Sequence, residues 1–210
     1  MPTPFNNYET MRDQMAGAFL RYDQEAMIEK FSLRYDANFL YIRFAGREYR
    51  IDRHNGVVSW EDTDSKTVHP ADYNAAITIY DVLCCSKESC HTSSEIVSIE
   101  SCASVQGGSL SSQNRSFFQH AADCFDKDPA MLSAACESLG GARLARGDVA
   151  YQLNLFDFLP VSIAFWHSDE EFPVSLQILV DRNILDFMHY ETAIFALSHL
   201  MERLEALCSR

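Results

Sequence analysis

The chain has 210 residues, of which 47% are hydrophobic, enough for a sizeable buried core. Its 17 Lys and Arg residues stand against 30 Asp and Glu residues, which gives a formal charge of -13. A charge of that sign repels phosphate backbones and anionic lipid, so we expect neither a nucleic acid nor a membrane as partner.

The N-terminal part of the chain predicts a helix followed by strands. In residues 8–30 the apolar positions recur every three or four residues, and a break in this helix is expected at residues 22–23. The period changes to two over residues 31–60, with turn residues at 45–46 and 55–56. This region therefore predicts an antiparallel meander.

The middle of the chain predicts three helices and one short strand. The first helix is expected to begin at Pro70 and to end near residue 85, and the others span residues 113–125 and 129–139. The Ser-rich segment between the first and second helices contains a short predicted strand at residues 95–99.

The C-terminal part predicts three strands and a closing helix. Apolar and polar residues alternate over 151–155, 161–165 and 174–180, which is typical of antiparallel strands with one solvated face. The closing helix spans residues 190–207. We expect this helix to lie across the sheet that the three strands form.

These elements predict an α+β fold. Its antiparallel sheets, with a meander in each half of the chain, pack against helices, and the C-terminal helix crosses the second sheet. We expect a single compact domain over residues 1–210, with two subdomains, 1–110 and 111–210, as the alternative division.

The segment from Trp166 to Pro173 places three adjacent carboxylates, Asp169, Glu170 and Glu171, in one predicted turn. A surface turn needs only Gly, Asn or a single Asp. Like charges beside apolar rings are costly unless they are solvated or compensated. This turn is therefore the predicted functional focus of the chain.

The C-terminal third contains an ordered set of residues: Gly147-Asp148, Trp166, Asp169-Glu170-Glu171-Phe172-Pro173, Ile178-Leu179-Val180-Asp181 and Glu191. This set resembles a prokaryotic family known as domain of unknown function 3786, most clearly over residues 145–207 and more loosely over 38–110. Some members of that family are associated with corrinoid or iron–sulfur proteins, so the resemblance implies a role in a cofactor pathway. The chain itself has no four-cysteine cluster motif.

The acids of this region have two interpretations. Converging at one end of the second sheet, they would suit a ligand or a hard cation such as Mg²⁺ or Ca²⁺. Alternatively, Asp181 caps the next helix, Glu191 faces the dipole of the last helix, and the other acids are solvated. The predicted ligand-binding residues are Asp148, Trp166, Asp169, Glu170, Glu171, Asp181 and Glu191.

The seven cysteines form no recognisable metal motif. An odd number without disulfide-scaffold spacing predicts reduced thiols and a cytoplasmic location, as does the absence of a signal-peptide pattern in residues 1–30. Cys84-Cys85 and Cys90-His91 lack a second matching pair, so core thiols are the better interpretation. His120 and Cys124 share a predicted helix face, but a single pair supplies too few ligands. We assign no metal ligands and no cofactor.

The sequence analysis supports two alternative functions. The preferred one is a non-catalytic ligand- or partner-binding domain for a small molecule or a protein, serving a corrinoid or other cofactor pathway as the resemblance implies. The alternative is an enzyme whose carboxylates hold a divalent metal or act as general acid and base.

Overall fold

The fold is an α+β arrangement of one sheet and several helices. The computed structural model describes residues 7–102 and 112–208. The helices are α1 (Asn7–Phe19), α2 (Gln24–Phe31), α3 (Tyr73–Cys85), α4 (Ile99–Cys102), α5 (Ser112–Phe125), α6 (Pro129–Ser138), α7 (Ile184–Phe187) and α8 (Tyr190–Cys208). The strands are β1 (Arg34–Tyr35), β2 (Phe39–Phe44), β3 (Arg47–Asp52), β4 (Val58–Glu61), β5 (Val68–Pro70), β6 (Ile96–Ser98), β7 (Ala142–Arg143), β8 (Val149–Phe156), β9 (Leu159–Trp166) and β10 (Ser175–Asp181).

The break predicted in the first helix is confirmed by a cap at Asp23. Its side chain accepts hydrogen bonds from the backbone N–H groups of Glu25 and Ala26, at 3.0 and 3.1 Å, so a new helix begins there. That helix, α2, continues through Phe31 and ends at Ser32, whose φ of 51° is left-handed. The strand predicted to start at residue 31 was therefore wrong, because Phe31 is still the last residue of α2 and the first strand begins at Arg34.

The helix predicted to begin at Pro70 begins three residues later. Pro70 is the last residue of β5, which lies at the end of the sheet order, where a missing backbone N–H is tolerated. The start of α3 is instead set by Asp72, which accepts a hydrogen bond from the backbone N–H of Ala75 at 2.8 Å.

All ten strands of the described residues belong to one antiparallel sheet. Its order is β5-β4-β3-β2-β8-β9-β10-β6, with β1 added beside β2 and β7 beside β8. Two meanders are present as predicted, one in each half of the chain. They are neighbours in a single sheet, so the expectation of separate sheets was wrong.

The two meanders meet at a very short seam between β2 and β8. Only Phe44 and Phe156 are paired in the ladder, supported by a 2.9 Å hydrogen bond from the backbone N–H of Ala45 to Leu155 O. The rings of Phe44 and Phe156 stack with their centroids 4.8 Å apart. Aromatic packing therefore supplements a backbone connection that is only one pair long.

The three C-terminal strands predicted over residues 149–180 are confirmed. Strand β9 pairs with β8 on one side and with β10 on the other, both antiparallel. Ser162 and Ala164, expected on a solvated face, are nevertheless buried. They pair with Gln152 and Gln177 on the flanking strands, so this face of β9 lies between two neighbouring strands.

The C-terminal helix α8 packs against α3 and also against α5, α6 and β8. Its inward face is apolar, with Leu197, Leu200, Met201 and Leu204 fully buried. A helix of 19 residues thus contacts elements from both halves of the chain.

Candidate functional site

Part of the predicted acidic site lies at the end of the sheet where β9 ends. Asp148 Oδ2 accepts a hydrogen bond from the backbone N–H of His167 at 2.8 Å, and Trp166 is half-buried beside them. Asp169 accepts from the N–H groups of Glu171 and Phe172, which holds its own turn and lowers the pKa of Asp169. These acids thus bind backbone groups of the loop.

Glu170 and Glu171 complete this turn as exposed residues. The turn is also tied to the end of α5 by Asp126, a residue that the sequence analysis did not select. Asp126 accepts hydrogen bonds from the hydroxyl and backbone N–H of Ser168, at 2.6 and 2.9 Å, and these bonds lower the pKa of Asp126. The arrangement fixes the loop against a helix.

Asp181 is fully buried at the opposite end of β10. It accepts hydrogen bonds from the backbone N–H groups of Ser93, Ser94 and Asn183, each at 2.9 Å. Burial alone would raise the pKa of Asp181, but these hydrogen bonds outweigh it and lower the pKa. The carboxylate anchors the loop that precedes β6 to the end of β10.

The structure does not bring the predicted acids together. Strand β10 has seven residues, so Asp181 and the Asp169–Glu171 turn are separated by about 20 Å along the strand direction. Glu191 is exposed in the first turn of α8, as its alternative interpretation predicted.

A different region collects charged side chains around a cleft of about 540 Å³. The cleft lies at the end of the β2–β3 hairpin, beside the β4–β5 turn and the C-terminal part of α8. Its charged lining consists of the cations Arg34, Arg47, Arg50, Lys66 and Arg203 and the acids Glu48, Glu61, Asp62 and Asp64. The lining carries a net formal charge of +1, in a chain whose formal charge is -13.

Trp60 lines this cleft together with two tyrosines, Tyr41 and Tyr49. The guanidinium of Arg47 lies 3.5 Å from the Trp60 ring centroid, and His69 on the neighbouring strand stacks on the same indole at 4.6 Å. A guanidinium held over an indole face is oriented by cation–π attraction and keeps its N–H edges available.

Most acids of the cleft are engaged locally. Glu48 pairs with Arg34 at 2.8 Å, and Glu61 pairs with Arg50 at 3.5 Å. Asp62 accepts from the hydroxyl and backbone N–H of Ser65, which lowers the pKa of Asp62. For Arg47 the structure records no acidic partner among the described residues.

Behind the cleft, a chain of polar side chains runs from the buried Tyr49 and His199 to the exposed Asp72. The Tyr49 hydroxyl lies 3.0 Å from Nε2 of His199, and Nδ1 of His199 lies 3.3 Å from Oδ2 of Asp72. Burial raises the pKa of Tyr49 to about 12, so its hydroxyl stays protonated at neutral pH. The chain connects β3, α8 and the start of α3.

A second polar cluster lies where α3 meets the start of α8. The buried carboxylate of Asp81 accepts from the backbone N–H of His189 at 2.8 Å and contacts its Nδ1 at 2.7 Å. Cys85 lies one helical turn after Asp81, and burial together with the Asp81 charge raises the pKa of its thiol. A raised pKa disfavours the thiolate, which is the nucleophilic form of cysteine.

All seven cysteines are free thiols, as predicted. Among the described residues, the structure has no helix that is both long and apolar enough to span a membrane.

Comparison with known proteins places the chain in a family. The family described as Domain of unknown function (DUF3786) matches residues 23–203, well over half of the 210 residues. Comparisons with curated proteins and with solved structures gave no match. The resemblance expected from the C-terminal residues is thereby confirmed, and the chain belongs to the DUF3786 family.

Proposed function

We propose that the protein is a binding domain whose cleft takes a small anionic ligand carrying carboxylate or phosphate groups. The observation that carries this proposal is Arg47, whose guanidinium is stacked 3.5 Å over Trp60 in the cleft wall. A guanidinium presents a planar fork of N–H donors that matches both carboxylate and phosphate oxygens.

The charge distribution supports an anion over a cation as ligand. Five of the 17 Lys and Arg residues line this one cleft, whereas the whole chain is strongly acidic. A local cationic site within an acidic surface attracts small anions at short range and still repels large polyanions such as nucleic acid. The cleft therefore fits a small molecule better than a polymer.

The lining favours binding over catalysis. Among the described lining residues there is no Ser, Cys or His, and three of the four carboxylates are engaged by Arg34, Arg50 or Ser65. Tyr49 is fully buried, and its raised pKa makes it a poor proton acceptor near neutral pH. The enzyme alternative has less support, because the acids on which it depends lie at opposite ends of β10. A role in a corrinoid or other cofactor pathway stays a prediction.

The proposal is tested with tryptophan fluorescence. The chain has two tryptophans, so the Trp166→Phe variant leaves Trp60 in the cleft as the only reporter. We expect saturable quenching by inorganic pyrophosphate or by citrate, weaker at high salt because the attraction is electrostatic. Calorimetry on the unmodified chain provides the matching affinity.

Arg47→Met in the same background should weaken that binding about tenfold or more, since a charge-assisted hydrogen bond contributes roughly 1.5–3 kcal/mol. Arg21→Met is the matched control, because it removes one positive charge at an exposed residue outside the cleft. Failure of both anions to bind contradicts the proposal. So does an equal loss of affinity in the two variants.

A further inference from the structure

Two packed helices in the C-terminal half bring together side chains that prefer transition metals. His120 and Cys124 are four residues apart on α5, and Glu205 faces them from α8. One ligand atom from each of these residues lies within 4.8 Å of the other two. Glu205 is the additional ligand that the pair of His120 and Cys124 lacked in the sequence.

The spacing of the first pair fits a shared metal ion. Nε2 of His120 lies 3.8 Å from Sγ of Cys124. Zinc bonds of about 2.1 Å to nitrogen and about 2.3 Å to sulfur place two tetrahedral ligand atoms about 3.6 Å apart. A shift of a few tenths of an ångström would therefore bring both atoms to coordination distance.

Cys208 is a neighbouring thiol rather than a member of this group. It follows Glu205 by three residues on α8, and residues at that spacing lie on the same helix face. Its ligand atom is not among those that lie within 4.8 Å of one another. The protein thus offers three donors here, an i, i+4 pair on α5 and one carboxylate from α8, which would leave the fourth position of a tetrahedral ion to water.

The Asp81, Cys85 and His189 cluster is a weaker candidate for a metal. Both carboxylate oxygens of Asp81 are already engaged by His189, one of them at 2.7 Å from Nδ1. That separation is a hydrogen bond, and it is shorter than the spacing of two ligands around one zinc ion. In the α5–α8 cluster the 3.8 Å between His120 Nε2 and Cys124 Sγ is close to the spacing of two zinc ligands instead.

We propose that His120, Cys124 and Glu205 form a site for a divalent transition metal of the zinc class. Imidazole, thiolate and carboxylate together favour such an ion over Mg²⁺ or Ca²⁺, which prefer oxygen ligands alone. Binding would release the proton of the Cys124 thiol and join the end of α8 to α5. This site is separate from the anion cleft, and its test does not depend on that proposal.

The experiment uses the full chain, reduced and freed of metal with a chelator, and titrated with Co²⁺ and then with Zn²⁺. We expect one equivalent of Co²⁺ to give the visible absorption of a tetrahedral ion and a near-ultraviolet thiolate-to-cobalt band, and Zn²⁺ to displace both. Zn²⁺ should also raise the melting temperature of the protein.

Cys124→Ser and Glu205→Gln should each weaken Co²⁺ binding at least about tenfold and remove the Zn²⁺ effect on melting. Melting of the metal-free variants shows whether they still fold, and Glu205→Gln keeps the shape of the side chain. Cys85→Ser, in the other cluster, should bind like the unmodified chain. Loss of binding in Cys85→Ser alone, or no thiolate band at all, overturns the proposal.

Discussion

The Tyr49 hydroxyl and Nε2 of His199 lie 3.0 Å apart inside the core, although 150 residues separate them along the chain. Asp72 lies on the other side of the imidazole, 3.3 Å from Nδ1. The tautomer that fits this geometry carries its proton on Nδ1, so that Nε2 accepts a hydrogen bond from Tyr49. One polar chain thereby fixes the position of α8 over β3.

Tyr49→Phe removes the hydroxyl and leaves the buried Nε2 of His199 without its donor. We expect the free energy of unfolding to fall by about 1–3 kcal/mol, the usual cost of a buried polar group that loses its partner. Urea denaturation measures the change. Tyr41→Phe is the matched control, because the Tyr41 hydroxyl donates to Asp36 at the exposed surface and its loss should cost no more than about 1 kcal/mol. Equal losses in both variants would contradict the buried role of Tyr49.

Asp181→Asn should destabilise the protein by about 1–3 kcal/mol at neutral pH, because an amide cannot accept hydrogen bonds with both of its terminal atoms. Asp181 Oδ1 accepts from Ser93 and Asn183, while Oδ2 accepts from Ser94. Chemical denaturation of both proteins gives the difference.

The same pair of proteins has a characteristic pH dependence. The folded pKa of Asp181 is lowered, so its ionised form stabilises the fold above the unfolded value of about 3.9. That contribution is lost as the pH falls through the lower, folded pKa. The stability difference should therefore be constant from pH 7 to 5 and should shrink below about pH 4. Glu170→Gln, an exposed change, should stay within about 0.5 kcal/mol throughout. A difference that grows on acidification would contradict the assignment.

Gly56→Ala should be strongly destabilising. The φ of Gly56 is 76°, and an added Cβ would lie 2.2 Å from the backbone oxygen of Ala16 in α1. Gly140→Ala separates backbone strain from steric clash. Gly140 has a φ of 78°, but no atom lies within 4 Å of a Cβ added there. Thermal melts should show a loss of about 1–2 kcal/mol for Gly140→Ala from backbone strain alone. Gly56→Ala should lose at least about 1 kcal/mol more from the clash. Equal losses would mean that α1 moves freely.

Local pattern was sufficient to predict most elements of the fold. Alternation predicted β8, β9 and β10, and the Asp23 position marked the break between two helices. Pairing between strands that are distant in the sequence has no such signal. Alternation indicates which face of a strand is buried, but it does not indicate which other strand lies beside it. The seam between Phe44 and Phe156 therefore could not be predicted, and neither could the single sheet that results from it.

The candidate sites show the same limit. The acids of residues 169–171 attract attention in the sequence, yet Asp169 holds its own turn. The cleft proposed to bind an anion did leave a signal, since five arginines occur in residues 34–53 of an acidic chain and three of them line it. Glu205 left no signal of the metal site in the sequence, because 81 positions separate it from Cys124 and only folding brings the two together.

Helix α8 not only covers the core but also bridges the short seam between β2 and β8. A ladder one pair long constrains the angle between two meanders less than a long ladder would, because it supplies few backbone hydrogen bonds. Helix α8 contacts β3 through His199 and also packs on β8, so it spans that joint. The relative orientation of the two half-sheets thus depends in part on a helix that follows all ten described strands in the sequence.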